Sequence, residues 1–401
     1  MPVEEGGALP LVRVSRRAEE RINAGHAWIF GDDLRETPPG VALGTWVRVE
    51  SRSGLPLGTA MLNLQSRIAL RIVSRETISP GRDFIARRLR EARERRSAAG
   101  WGDETAMRLC FSEADAMPGL VVDRFGDVLS VQILTAGMET YREEILAELV
   151  ASHHPRLVYE RSEGGARKHE GLPERKGPVF GEGSSESLIE TDGVRFLVDV
   201  ERGPKTGFFL DQRANRRIVR DLAGGRSVLD GFCSTGGFGL YALAGGASDV
   251  LAVDSSDYAI EAARGNAERN GYSSRWEGRA ANLFQELRDL SASGRRFGLV
   301  VLDPPAFAKA REGREGAIRG YRDVNRLGLS LLSPGGLLAT ASCTQLVDLP
   351  MWKEALRGAA ADARADLELV AAGGPPPDHP VLLGMPETDY LKFAVWRKRL
   401  P

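Results

Sequence analysis

The chain has 401 residues, of which 42% are hydrophobic and 27% charged, and a formal net charge of −1. That length exceeds one ordinary core and implies two or three domains, and the near-neutral total excludes a uniformly basic nucleic-acid binder without excluding a local basic face. No apolar run approaches the ~18–20 residues that cross a bilayer, so no membrane partner is expected. The opening MPVEEGGALPLVRV carries acids where a secretory leader needs bases, which points to the cytoplasm. Cys110, Cys233 and Cys343 are too few and too far apart for a disulfide framework or a CxxC zinc site, so reduced thiols and no metal are expected.

From residue 11 to 75, short apolar runs alternate with polar residues and are broken by TPPG and SGLPLG, which predicts a small, mostly β domain over 1–76. Residues 83–100, DFIARRLREARERRSAAG, have helical spacing with Phe84, Ile85 and Leu89 on one side and a terminal glycine. The other side is crowded with arginine. MRLCFSEADAMPGLVVDRFGDVLSVQIL reads as three strands with turns, METYREEILAELV as a helix and RLVYER as a further strand, together an α+β middle domain over 77–187. From 188 to 401 strand and helix patterns alternate. SVLDGF, DVLAVD, GLVVLD and GLLATAS are apolar runs suited to burial on both faces, which predicts an α/β, Rossmann-like sheet.

DGFCSTGGFG then falls at the turn after the first of these strands, where glycines let the backbone approach a ligand beside the N–H groups of the next helix. Asp254 closes the second strand 24 residues after Asp230, the place of an acid that accepts from ribose hydroxyls. The loop departs from G-x-G-x-x-G and lacks a P-loop lysine, so a ligand with a ribose but no pyrophosphate suits it, of which S-adenosylmethionine is the common one. LDPPAF puts Asp303 at a strand's carboxyl end, stiffens the chain with Pro304 and Pro305, and offers the Phe307 ring to a flat partner.

VERGPKTGFFLDQRANRR, DGFCSTGGFG, LDPPAFAK, GYRDVNRLGLSLLSPGGLLATASC and ETDYLKFAVWR together resemble the RlmI-type ribosomal RNA methyltransferase family, as do RAEERINAGHAWIFGDDL, EADAMPGLVVDRFGD and VYERSEGGARKHEGL further upstream. The resemblance spans nearly the whole chain. It implies a PUA-like RNA-binding domain over 1–76, the α+β middle domain over 77–187 and a class I S-adenosylmethionine-dependent methyltransferase domain over 188–401. For the cofactor it implies Asp230, Gly231, Phe232, Ser234, Thr235, Gly236, Gly237, Asp254 and Asn282, joined by Phe208, Asp211, Gln212 and Arg213. For the substrate base it implies Pro304, Pro305, Phe307, Lys309, Tyr321 and Asn325. Asn282 stands where the family's pattern expects an acid, and an amide accepts the adenine amino group without charge.

Methylation of cytosine C5 needs a thiolate to add to C6 first, and Cys343, following the strand-like GLLATAS, takes the place of the family's nucleophile with Asp303 beside it. A buried small residue is the plainer role for any cysteine; Cys233 and Cys110 are read that way. The Asp-Pro motif has no second cysteine, so another base or water must take the C5 proton. Seven arginines and three acids between positions 82 and 96, with RKHEGLPERK and REGREGAIRGYRDVNR, suggest an RNA path. The expected partner is 23S ribosomal RNA, naked or in a large-subunit assembly particle, with a homodimer left open. Two other readings stand beside this one: a guanine methyltransferase on the same cofactor site, and a non-catalytic RNA-binding protein with a vestigial one.

Overall fold

A computed structural model describes residues 9–102, 104–308 and 313–400. The chain divides into two compact units, one running up to Ile189 with Val198–Leu210 and Pro377–Thr388, the other made of Glu190–Leu197, Asp211–Pro376 and the chain from Asp389.

In the first unit, β1 (Leu11–Val14), α1 (Arg16–Asn23), β2 (Trp28–Phe30), β3 (Leu34–Glu36), β4 (Thr45–Glu50), β5 (Pro56–Leu62) and β6 (Ile68–Ser74) come first. Their strands form one sheet in the order β2-β6-β5-β4-β1-β3. Ser15 starts α1 by accepting from Ala18 N at 3.1 Å and donates to Asp33 at 2.7 Å, so one hydroxyl both caps the helix and ties it to the chain after β2. Val12, Val14, Ile29, Val47 and Leu70 fill the interior.

Then come α2 (Arg82–Ala98), β7 (Ala106–Phe111), β8 (Leu120–Phe125), β9 (Val128–Ile133), α3 (Ala136–Glu139), α4 (Arg142–His153), β10 (Leu157–Ser162), α5 (Gly165–His169) and β11 (Arg175–Gly181), with a sheet ordered β11-β10-β9-β8-β7. The single helix expected over METYREEILAELV is broken at Tyr141, whose ring turns edge-on to Trp46 at 5.7 Å. Trp46, Met61 and Val73 from the first sheet pack with Phe84, Met107, Val122 and Met138 in one continuous core. Arg71 adds polar ties, donating to Glu113 at 2.7 Å and to Glu170 at 3.1 Å. Residues 1–76 and 77–187 therefore share their apolar interior. A hairpin of β12 (Glu186–Thr191) and β13 (Val194–Asp199) is divided between the two units.

The second unit contains α6 (Arg213–Leu222), β14 (Ser227–Gly231), α7 (Gly237–Ala244), β15 (Asp249–Asp254), α8 (Asp257–Arg269), β16 (Trp276–Ala280), α9 (Leu283–Ala292) and β17 (Phe297–Leu302). It continues with α10 (Arg314–Ser330), β18 (Leu332–Ser342), α11 (Leu349–Asp362), β19 (Leu367–Gly373) and β20 (Lys392–Lys398). The sheet order is β16-β15-β14-β17-β18-β20-β19, parallel from β16 to β18, with β20 antiparallel to both its neighbours. The four expected strands are β14, β15, β17 and β18, whose central residues are fully buried as apolar runs should be. β16 and β19 lie at the edges and carry exposed residues, which hides their pattern. Strand order reverses between β14 and β17, so the crevice outside their carboxyl ends is the expected ligand site. This is the doubly wound α/β architecture read from the sequence. Among the described residues, no helix is long and apolar enough to cross a membrane.

Candidate active site

The loop from β14 to α7 is held in a costly conformation. Phe232 and Ser234 have φ of +62° and +48°, and Gly236 of +86°. Left-handed backbone costs a non-glycine residue about 1 kcal/mol or more, so it persists only where surroundings dictate it. Three bonds dictate it here: Cys233 N to Val253 O at 3.1 Å, Ser234 N to Asp254 Oδ2 at 2.9 Å, and Gly236 N to Cys233 O at 2.9 Å. At Gly231 a Cβ would come within 2.8 Å of the Leu283 side chain, so a side chain there would fill the cradle between β14 and α9. Thr235 is buried and its carbonyl accepts from Asn266 at 3.2 Å.

Asp230 lies beneath the loop, fully buried, with Oδ2 accepting from Gly239 N at 2.7 Å. Its Oδ1 has no hydrogen-bond partner among the described residues. Burial raises its pKa to about 7, and the negative charges of Asp303 and Asp254 push the same way, while the Gly239 N–H and Arg216 oppose them. Arg216 is buried in the same region, where the desolvation of its guanidinium lowers its pKa and Asp211, Asp303 and Asp230 act against that. Sequence patterning assigned this arginine no role. Its signal was present in RANRR, but helix-face counting cannot tell a buried guanidinium from a solvated one.

Asp254 ends β15 and accepts from Ser234 N at 2.9 Å on one oxygen and from Ser256 N at 3.0 Å on the other. Each oxygen keeps a second lone pair for a ribose hydroxyl. Asn282 is exposed and caps α9, its Oδ1 accepting from Gln285 N at 3.3 Å. The cradle at Gly231, the half-satisfied Asp230 and the acid at the end of β15 suit a nucleoside ligand, and Asp254, Asn282 and the loop backbone would hold S-adenosylmethionine there.

Around Asp303 the side chains form a chain of bonds. Gln212 Nε2 donates to Asp303 Oδ1 at 2.8 Å, Asn215 Nδ2 donates to Gln212 Oε1 at 2.6 Å, and the Tyr390 hydroxyl donates to Asp211 Oδ2 at 2.7 Å. Arg213 has an acid partner in the turn between β12 and β13. Its guanidinium forms a bidentate pair with Asp192 at 3.0 and 3.1 Å, where Arg217 and the Tyr241 hydroxyl also converge and hold the Asp192 carboxyl well below the usual range. Phe208 is a buried residue of the first unit.

Downstream of Asp303, Pro304 is buried and Pro305 exposed. The rings of Phe232, Phe284, Phe307 and Tyr321 follow one another at centroid distances of 6.5, 6.3 and 4.9 Å, a row of apolar faces beside the carboxyl edge. Tyr321 and Asn325 are both fully buried, with Asn325 Nδ2 donating to Tyr321 O at 2.7 Å. Lys309 lies outside the described residues. Cys343 follows β18 directly and is half-buried, leaving that strand at the edge where Asp303 leaves the adjacent β17. Cys233 and Cys110 are buried, and burial pushes both thiols up, away from the reactive form.

The first unit carries the arginine-rich helix. Along α2, Arg88 pairs with Glu91 at 2.8 Å, and Arg95 and Arg96 pair with Asp115 at 2.6 and 2.8 Å. Arg90 and Arg93 have no such partner among the described residues and line a cleft of about 230 Å³ with Leu89, Glu148, Ser152 and His153. His153 is held neutral, its pKa lowered to about 4 by burial and by Arg124 and Arg93. A cleft with this charge suits phosphate oxygens.

A doubly wound sheet with a glycine loop at its switch point and an acid closing the next strand is shared by nucleoside-binding α/β proteins, and among these the family model of S-adenosylmethionine-dependent methyltransferases matches residues 178–383. A PUA-like domain model matches residues 12–75. Ribosomal RNA large subunit methyltransferase I of Aeromonas hydrophila is 39% identical over 388 residues, covering 95% of this chain and 97% of that one. The enzyme of the same name from Vibrio cholerae is 38% identical over 389 residues, covering 96% and 98%. This chain belongs to that family, a branch of the S-adenosylmethionine-dependent methyltransferases. The fold is also that of a proposed S-adenosylmethionine-dependent methyltransferase from Streptococcus mutans, with a TM-score of 0.83 at 21% identity, 97% of this chain and all of that one being covered.

Proposed function

We propose that this methyltransferase acts on 23S ribosomal RNA and forms 5-methylcytosine. The observation that carries the reading is the emergence of Cys343 and Asp303 from adjacent parallel strands at one edge of the sheet, beside the cofactor loop. Bound at that loop, S-adenosylmethionine supplies an electrophilic methyl group. The Cys343 thiolate adds to cytosine C6, and the C5=C6 electron pair moves onto C5, making that carbon a nucleophile. Asp303 hydrogen-bonds the N3 and N4 edge and stabilises the charge that builds on the ring. Once C5 carries its methyl group, a base or water takes the C5 proton, the C5=C6 bond re-forms and the thiolate leaves C6. Phe307 gives the base a face to lie against, and the Arg90 and Arg93 cleft suits the RNA backbone. The target base must leave its stack, which favours loops or a partly assembled particle as substrate. An enzyme of ribosomal RNA works in the cytoplasm.

RNA carrying 5-fluorocytosine at the target tests this, because fluorine cannot leave as a proton does. The wild-type protein should be trapped as a covalent adduct, Cys343→Ala should form none while still binding RNA and cofactor, and Cys233→Ala should trap normally. An active Cys343→Ala enzyme, or 7-methylguanine or N2-methylguanine as product, would replace the cytosine reading with the guanine one.

A further inference from the structure

Lys392 received no role from the sequence, and its surroundings give it one. Lysine is almost never buried without a partner, yet Lys392 is only 8% exposed. It opens β20 in register with Ser342 of β18, and its ammonium donates to the Thr344 carbonyl at 3.0 Å. Ser342 and Thr344 are the two chain neighbours of Cys343. Both are fixed a second time by Tyr321: Ser342 Oγ donates to the Tyr321 hydroxyl at 2.9 Å, and that hydroxyl lies 2.7 Å from Thr344 Oγ1. The segment bearing the thiol is thus clamped on both sides, and one of the clamps is a cation.

We propose that Lys392 is the positioning residue of Cys343, its ammonium stabilising the thiolate before addition to C6 and again as the C6–S bond breaks. The inference rests on the reading of Cys343 as nucleophile. Burial pulls the Lys392 pKa down while a negative Cys343 pushes it up. Asp389 and Asp348 also face Lys392 and help to keep it charged. From α10, Tyr321 presents only a neutral hydroxyl whose own ionisation burial suppresses, with Cys343 and Asp303 adding to that effect. Lys392 is accordingly the cation that β20 adds to the thiol's surroundings. No bond is made or broken by it, so the chemistry of the adduct is unchanged by its presence and only its ease is altered.

The test is the pH profile of Cys343 alkylation by iodoacetamide, read by mass spectrometry of the Cys343 peptide in the full chain without RNA, with Cys343→Ala as blank. The wild-type midpoint should fall below the ordinary thiol value of about 8.5. Lys392→Met should raise it by about one unit and slow alkylation at pH 7 by about tenfold, while Lys392→Arg restores most of the rate. Both variants should bind S-adenosylmethionine as the wild type does, which reports folding. A folded Lys392→Met protein with the wild-type profile overturns the proposal, and so does a Lys392→Arg profile displaced as far as that of Lys392→Met. Alkylation does not require cytosine as substrate. Failure of the 5-fluorocytosine trap with an intact, Lys392-dependent profile would therefore reject the nucleophile reading, and the converse would reject only the role of Lys392.

Discussion

Gln212 is held by two bonds of opposite sense, donating to Asp303 at 2.8 Å and accepting from Asn215 at 2.6 Å. Asn215 therefore fixes which end of the Gln212 amide meets the acid, and Gln212 in turn aims the Asp303 carboxylate. Gln212→Ala should lower kcat by about 10- to 100-fold, the range of a lost hydrogen bond to a charged group. Gln212→Glu should be worse, since it sets a second carboxylate against the first. Steady-state methylation with RNA and S-adenosylmethionine saturating measures both.

Asp254 is at once a ligand candidate and a clasp of the loop, accepting from Ser234 N and Ser256 N. Asp254→Ala should weaken S-adenosylmethionine binding by ~1.5–3 kcal/mol, the range for a lost charge-assisted acceptor. Titration calorimetry gives the number, and unchanged affinity in a folded variant would remove Asp254 from the site.

Asp230 gives a pH dependence whose sign is set by burial. Its folded pKa is about 7 against an ordinary value of 3.8, so its favourable contribution is present below about pH 4 and is lost as pH rises through 7. Asp230→Asn removes that titration. Measured without cofactor, the stability of the variant relative to wild type should climb between pH 4 and 7, by at most about 1.4 kcal/mol per unit, and then level off. A flat difference across that range would show that Asp230 stays ionised.

Changing both Arg90 and Arg93 to alanine should weaken RNA binding and reduce its dependence on salt, the slope of log affinity against log salt falling by about two. Cofactor affinity should not move. An unchanged slope would show that the cleft beside His153 carries no phosphate.

The parts of the site that could be read from sequence are those fixed by a few consecutive residues: the glycine loop, Asp254 at the end of one strand, Asp-Pro-Pro-Phe at the end of another, and Cys343 after a third. Each lies where a buried run stops, and such stops show in the pattern. What could not be read depends on residues far apart in the chain. Lys392 reaches the Thr344 carbonyl only because β20 inserts against β18. Arg96 looked like one more surface cation and is 1% exposed, bonded to Asp115. The break expected near residue 76 is crossed by Trp46 and Met61, which reach into a common core with Met107 and Met138. Deleting everything before that break would uncover this core, so point changes are the cleaner probes of the first unit.

The path of residues 377–388 bears on how the chain is made. Asp378 Oδ2 accepts from Arg108 N, 270 positions earlier, and the Asp378 carbonyl accepts from Arg96, so the first unit must wait for a segment that leaves the ribosome long after the rest of it. The second unit waits longer still. β20, which follows the other strands of this sheet in the chain, occupies an inner place, and among the described residues β19 pairs only with β20. Until Lys392–Lys398 emerges, β18 presents an unpaired edge that any other nascent strand could extend. Contacts of such long separation slow folding and prolong exposure. Both units thus close on the same late stretch of chain, from Pro377 to Lys398, and a stall of translation within it would leave two units incomplete at once.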